Sequence, residues 1–214
     1  MIVKDVMTKN PIFVSPETSI TEAKAIMTKK NISKLPVLNK NNELVGMITK
    51  NDMAKAGPSD ATSLDMFEIG YLLSKLTVDK FMTKKVVSVT EDEVVEEAAR
   101  IMVDEQIGCV PVMKNSLLVG IVTESDLFHL FTDMFGARYS GVRATLSLDD
   151  KPGQLIQIFT EIAELKGNIV SVVTKESKNS SQRKVTIKAT GITQNQMEQI
   201  LKSLEVVADD LRVI

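Results

Sequence analysis

The chain repeats itself with a period of about 75 residues, and a duplication constrains the architecture before any single motif is interpreted. Met7-Thr8-Lys9 recurs as Met82-Thr83-Lys84, Ala23 with Ile26-Met27 as Ala98 with Ile101-Met102, and Ile32 with Pro36-Val37 as Ile107 with Pro111-Val112, each 75 positions apart. One residue fewer in the second copy's turn shifts the offset to 74. Leu44-Val45-Gly46 then matches Leu118-Val119-Gly120, and Thr49 with Asp52 matches Thr123 with Asp126.

Each copy reads as the same run of elements. Ile12-Phe13-Val14 and Val86 to Val89 predict short strands, each leading into a helix opened by acidic residues, Glu17 or Glu91-Asp92-Glu93. Ile20, Ala23, Ile26 and Met27 share one helical face, as Val94, Ala98, Ile101 and Met102 do in the second copy, so both faces are expected to be buried. Leu35 to Leu38 with Leu44 to Ile48, and Val110 to Met113 with Leu117 to Val122, predict hairpins, and a closing helix follows each. Between the copies, Ala54 to Leu76 holds the loop signal Gly57-Pro58. Leu64, Phe67, Ile69, Tyr71 and Leu72 then suggest a connecting helix.

Each copy resembles a CBS motif, with its β-α-β-β-α order and its Gly-x-x-Thr-x-x-Asp ending, here Gly46 to Asp52 and Gly120 to Asp126. The resemblance implies one CBS-pair module built from motifs at 1–60 and 77–135, joined by a connecting segment at 61–76. It also implies an adenine ligand, with AMP, ADP, ATP and S-adenosylmethionine as candidates. Carried over, Asp52 and Asp126 would bind ribose hydroxyls, and Thr49 and Thr123 phosphate or sugar. Ile12 and Val87 would flank adenine. Family members often carry a basic residue two positions before the proline. Here the equivalents are Lys34 and Cys109, so phosphate contact through that position is expected in the first copy only.

Two physical readings of the endings stand side by side. A helix N-terminus presents unpaired N–H groups and a partial positive charge that can hold phosphate. Thr-x-x-Asp before a helix is also a capping box, whose side chains satisfy those same groups.

From about residue 141 the pattern becomes strand, helix, strand, strand, helix, strand. Arg143 to Leu148, Ile169 to Val173 and Lys184 to Thr190 predict three of the strands. Pro152 is expected in the first turn of the helix whose apolar face is Leu155, Ile158, Phe159, Ile162 and Leu165. Gly167-Asn168 is expected to close that helix in the left-handed conformation, and Lys175 to Lys184 to form a solvated loop. Through Asp150-Lys151-Pro152-Gly153-Gln154-Leu155 and Gly167-Asn168-Ile169, residues 141–214 resemble an ACT domain, a ferredoxin-like unit that regulates amino-acid metabolism. The resemblance implies an amino acid held by Asp150, Gly153, Asn168 and Ile169. The residues alone equally suit a helix cap at Asp150 and a helix start at Pro152. The fold class expected for the whole chain is α+β.

No catalytic centre and no metal site are expected. Nucleophilic mechanisms need a base beside an activated Ser or Cys, and the chain offers one histidine, His129, and one cysteine, Cys109. Cys109, among apolar neighbours, reads as a core thiol, and the eleven methionines as core filling. With 43% hydrophobic and 25% charged residues the chain should fold. A net charge of −2 offers no general attraction to nucleic acid or anionic lipid. Apolar runs such as Leu117 to Val122 are too short to span a membrane, and Met1 leads directly into a strand-like segment, so a cytoplasmic protein is expected.

Two functions from different classes remain. One is a free-standing, non-catalytic regulator, a homodimer acting on a partner protein. The other is a structural adaptor whose ligand sites are relics. The domain order looks like that of the bacterial acetoin-utilisation AcuB-type proteins.

Overall fold

The structure, a computed structural model, describes residues 1–55, 71 and 74–214. The connecting helix expected from Leu64 to Leu72 therefore lies almost wholly outside the described residues. The chain divides into two compact units, Met1–Leu127 and Phe128–Ile214.

The first unit begins with a one-turn helix, α1 (Val3–Val6), and a two-residue strand, β1 (Thr8–Lys9). The first copy continues with α2 (Ile20–Lys30), β2 (Lys34–Leu38), β3 (Leu44–Thr49) and α3 (Lys50–Lys55). A 3-10 turn over Val78–Lys80 introduces the second copy, with β4 (Val89–Thr90), α4 (Val95–Asp104), β5 (Cys109–Lys114) and β6 (Leu117–Thr123). Its closing helix is α5 (Glu124–Met134).

Helix α2 has a start, a face and a stop in its sequence. The Ser19 hydroxyl accepts from the Glu22 amide at 3.1 Å, Ile20, Ala23 and Met27 are buried on one side, and Asn31 ends the helix with φ at 51°. The antiparallel hairpins match in register. Val37 faces Gly46 and Lys34 faces Thr49, as Val112 faces Gly120 and Cys109 faces Thr123.

The two copies exchange their leading segments. Thr8 pairs with Ile121 and Lys9 with Gly120, placing β1 on the second copy's sheet, while Thr83 pairs with Met47 of the first copy. Val3 is fully buried among Val89, Met102, Val110 and Val122 of the second copy. Val78 is fully buried among Ile20, Met27, Leu35 and Ile48 of the first. Two glycines permit the crossing: a Cβ on Gly46 would lie 2.4 Å from Met82 Sδ, and one on Gly120 would lie 2.3 Å from Met7 Sδ. Met47, Cys109 and Ile121 form a small apolar cluster where the copies meet, so Cys109 is a core thiol, as its neighbours suggested.

The second unit runs β7 (Val142–Asp149), α6 (Gln154–Glu164), β8 (Asn168–Glu176), β9 (Gln182–Thr190), α7 (Gln194–Ser203) and β10 (Ala208–Val213). Its antiparallel sheet has the order β10-β7-β9-β8, with the two strands that follow helices at the edges. Val142, Ala144, Leu146 and Leu148 point to one face by strand alternation and bury against Ile158, Ile162, Met197 and Leu201 of the helices. Lys188, only 2% exposed, donates from Nζ to the Gly136 carbonyl at 2.7 Å, and Ser171 Oγ donates to the Phe135 carbonyl at 3.2 Å.

Several sequence expectations give way to local competition. Ile12 and Phe13 form no strand; only Val14 bridges, to Val37. Val94 is the residue preceding α4 and is 41% exposed, whereas Val95 is buried in its place. Pro152 lies in a turn before α6, which starts at Gln154 behind Gly153 with φ at 89°. The left-handed residue after α6 is Lys166, at φ 60°. Gly167 is instead required by close approach, since its Cβ would meet Ile162 and Ile192 side chains at 2.8 Å, and Asn168 opens β8. The polar loop shrinks to residues 177–181, because Lys175, Glu176 and Gln182 to Lys184 extend the hairpin. Among the eleven methionines, Met1 and Met134 are exposed rather than core.

Candidate functional site

The Thr-x-x-Asp endings form at the junctions β3–α3 and β6–α5. Asp52 Oδ2 accepts from the Thr49 amide at 3.0 Å and from its hydroxyl at 2.7 Å, and Thr49 Oγ1 accepts from the Asp52 amide at 3.2 Å. Thr123 and Asp126 repeat the arrangement at 2.7, 2.7 and 3.4 Å. Both endings are therefore closed capping boxes. The boxes use one carboxylate oxygen each, which leaves Oδ1 as an acceptor; that of Asp52 lies 3.5 Å from the Nζ of the well-exposed Lys55. The helix amides are largely spent as well. Lys50 N donates to the Ser33 carbonyl at 2.9 Å and Glu124 N to the Gly108 carbonyl at 3.2 Å, leaving the amides of Asn51 and Ser125 to meet a ligand.

Two clefts open beside these endings, and each is assembled from both copies. The first, of about 720 Å³, carries Thr49 and Asp52 from the first copy and Thr83, Val86, Val87, Ile107, Cys109 and Pro111 from the second. The second, of about 490 Å³, carries Thr8, Ile12, Ile32, Lys34 and Pro36 from the first copy and Ile121, Thr123 and Ser125 from the second. Both volumes suit a small-molecule site. The exchanged segments explain the mixing, since β1 and its counterpart at Thr83 deliver Ile12 and Val87 beside the opposite copy's ending.

The sequence-derived site residues are thereby redistributed. Val87 joins Thr49 and Asp52, whereas Ile12 and Lys34 join Thr123. Lys34 lines the first cleft, as the repeat suggested, and the second as well, so it is not confined to the first copy's ending. Asp126 is bonded to Thr123 and does not line the second cleft.

Lys34 is held at the meeting of the copies. Its Nζ donates to the Gly108 carbonyl at 2.6 Å and lies 3.8 Å from a Glu124 carboxylate oxygen, with the side chain 19% exposed. Gly108 makes room for this, because a Cβ there would lie 2.7 Å from Glu124 and 2.8 Å from Lys34. Burial pushes the Cys109 thiol up to about 11, against the opposing pull of the nearby Lys34 charge. Lys50, Lys85, Gly108 and Glu124 line the first cleft and were missed by sequence reasoning. A signal existed in the variable positions of the endings, where Thr49 is followed by Lys50 and Thr123 by Glu124.

In the second unit a smaller cleft, about 170 Å³, gathers Asp150, Lys151, Gly153, Gln154 and Arg183. Asp150 is half-exposed and accepts from Arg183 Nε at 3.1 Å. Asn168 and Ile169 do not line this cleft; they begin β8, opposite Thr190 and Ala189. Arg183 is a further residue the sequence reading missed. His129 is exposed on α5. Among the described residues no cluster of His, Cys, Asp and Glu is placed to hold a metal ion, and no helix is long and apolar enough to cross a membrane.

A duplicated unit whose two clefts each draw on both copies, joined to a ferredoxin-like unit, defines a class of paired-repeat proteins with an appended α/β domain. The chain belongs to the CBS-domain family: the CBS family model matches residues 3–59 and 78–133, and the TTHA0829-like ACT domain model matches residues 140–212. Among solved structures, the CBS domain pair of protein MJ0100 in complex with 5′-methylthioadenosine and S-adenosyl-L-methionine is 35% identical. It covers 65% of this chain and 98% of that one, with a TM-score of 0.52. An AcuB-type acetoin utilization protein from Vibrio cholerae is 26% identical over 64% of this chain and 95% of its own, with a TM-score of 0.54. CBSX2 in complex with AMP is 28% identical over 61% of this chain and 95% of its own, with a TM-score of 0.50. Curated relatives include the L-aspartate semialdehyde sulfurtransferase of Methanocaldococcus jannaschii, 37% identical over 61% of this chain, and the homoserine O-acetyltransferase of Methanococcus vannielii, 28% identical over 61%. The match spans only 23% and 25% of those two proteins, so this chain covers about a quarter of their length. CBS and ACT domains are regulatory modules.

Proposed function

We propose that the first unit binds an adenosine-bearing ligand, drawn from AMP, ADP, ATP and S-adenosylmethionine, and that the protein is a non-catalytic regulator. The observation that carries this reading is the first cleft. There the Asp52 carboxylate oxygen outside the capping box, shared only with the exposed Lys55, and the Thr49 hydroxyl line a 720 Å³ space in which Val86, Val87 and Ile107 supply an apolar wall. A nucleoside needs that combination: paired acceptors for ribose hydroxyls and apolar faces for a flat base. The complexes of MJ0100 with 5′-methylthioadenosine and S-adenosyl-L-methionine, and of CBSX2 with AMP, support the ligand class. The ACT unit is proposed to pair two copies into a homodimer or to hold an amino acid at the cleft formed by Asp150 and Gly153. A link to acetoin use rests only on the AcuB-type likeness.

The adaptor reading is favoured by one observation, that both Thr-x-x-Asp pairs already satisfy each other as helix caps. Calorimetric titration with AMP, ADP, ATP and S-adenosylmethionine separates the two. A regulator gives saturable heat with at least one of them, and Asp52→Ala removes the part that comes from the first cleft. If none gives heat and none raises the melting temperature, the adaptor reading stands instead.

A further inference from the structure

The repeat relates the two clefts position by position, so what differs between counterparts is isolated. Lys34 of β2 corresponds to Cys109 of β5, and Lys50, first in α3, corresponds to Glu124, first in α5. Where the second cleft has Lys34 and Lys50, the first cleft has Cys109 and Glu124. Lys34 and Lys50 also line the first cleft, whose lining includes three carboxylates, Asp52, Glu105 and Glu124, the last 3.8 Å from Lys34. Among the described residues no carboxylate lines the second cleft. The first cleft also carries two further lysines, Lys55 and Lys85, exposed as Glu105 and Glu124 are, so its lining is of mixed charge where that of the second cleft is cationic alone.

We infer that the clefts take different adenosyl ligands: the cleft of Ile12, Lys34 and Thr123 takes an adenosine bearing a 5′-phosphate, and the cleft of Val87, Cys109 and Thr49 one whose 5′ substituent is neutral or cationic. This rests on the adenosyl reading above and assigns its ligand class cleft by cleft. A phosphate needs cationic donors without competing anions. Lys34 has three N–H groups, so it can keep the Gly108 carbonyl and still donate to phosphate. In the first cleft the same phosphate would face Glu124 and an uncharged, buried thiol. A thioether loses nothing there, and a sulfonium gains from Glu124. The ribose acceptor differs as well, since Asp52 lines its cleft and Asp126 does not.

The test uses the full chain, with AMP and 5′-methylthioadenosine as probes in isothermal titration calorimetry. Lys34→Met is expected to weaken AMP about tenfold or more, the loss of one charge-assisted hydrogen bond, while 5′-methylthioadenosine changes less than about twofold. Asp52→Asn should do the reverse. Because Lys34→Met could also loosen the fold, a gain-of-function variant at an exposed position accompanies it: Glu124→Lys, which copies Lys50 into the other ending, should add a second equivalent of bound AMP. Equal weakening of both probes by Lys34→Met, or a single AMP equivalent in Glu124→Lys, overturns the assignment while leaving adenosyl binding intact. Binding of neither probe to the unaltered chain overturns the assignment, and no heat with ADP, ATP or S-adenosylmethionine either overturns the adenosyl reading with it.

Discussion

Replacing Gly46 by alanine tests the exchange of leading segments at its tightest point. The new Cβ would lie 2.4 Å from Met82 Sδ, 3.0 Å from Met82 Cγ and 3.2 Å from the Thr83 carbonyl oxygen. Ordinary contact is about 3.5–4.0 Å, so Met82 has to withdraw by roughly 1 Å or more. Thr83 cannot follow, because its carbonyl accepts from the Met47 amide at 3.0 Å and its amide donates to the Met47 carbonyl at 2.9 Å. Overpacking against one flexible and one fixed neighbour costs about 1–3 kcal/mol. Measured as native-state amide exchange at Met47 and Ile48, this is an acceleration of roughly 5- to 150-fold, because each 1.4 kcal/mol is about tenfold. The cost should fall by about 0.5 kcal/mol or more in a Met82→Ala background, where the clash is gone, and stay unchanged in a Met7→Ala background. An identical penalty in all three backgrounds would refute the crossing, because Met82 would then not be the residue above Gly46.

Cys109 should resist labelling. With its pKa pushed up to about 11, the folded thiol near pH 8 should react about a hundredfold more slowly with a disulfide reagent than the urea-unfolded chain. The linkage sign follows. The unfolded thiol ionises near pH 9 while the folded one keeps its proton, so its contribution to stability is intact below pH 9 and falls between pH 9 and 11, absent in Cys109→Ala. In the second unit, Lys188→Met keeps the buried stem but orphans the Gly136 carbonyl, and calorimetric melting should show a loss of about 1–3 kcal/mol that the surface variant Lys184→Met does not. Thr49→Ala opens the first capping box and should lower stability by about 1 kcal/mol in urea titration; an unchanged midpoint would mean the box is not formed in solution.

The sequence made the duplication, the hairpins and the two helix faces through Ala23 and Ala98 legible, because each is a local periodicity. The exchange of leading segments was not legible. Val3 and Val78 each precede a repeat copy by the same distance, and nothing local says whether they fill their own copy's core or the other's. The sites inherited that ambiguity. Lys34 faces Thr49 in hairpin register, and a reading along the chain therefore put it with Asp52, while three-dimensional closure sets it beside Ile12 and Thr123 as well. Val94 and Val95 both suit a buried face. The choice fell to Val95 because Val94 is extended, with φ −76° and ψ 143°, ahead of the first helical turn. The strands beyond Lys175 and before Lys184 were hidden by polar letters, since antiparallel strands can keep one face in water and need no apolar residue there.

Because each cleft is walled by both copies, occupancy and the union of the copies are thermodynamically one quantity. A ligand in the first cleft would touch Thr49 and Asp52 on one side and Val87 and Ile107 on the other, none of which stays in place if the copies separate. At a ligand concentration of one hundred times its Kd, such binding adds about 2.7 kcal/mol to the stability of whatever must stay assembled for the site to exist. For this fold that includes β2–β3 and β5–β6 together, whichever ending holds the ribose. Amide exchange with saturating AMP should therefore protect Val37 and Ile48 of the first hairpin and Val112 and Val122 of the second to the same extent. Protection confined to one hairpin would mean that the ligand rests on a single copy, and the shared construction of the clefts would then have no part in sensing.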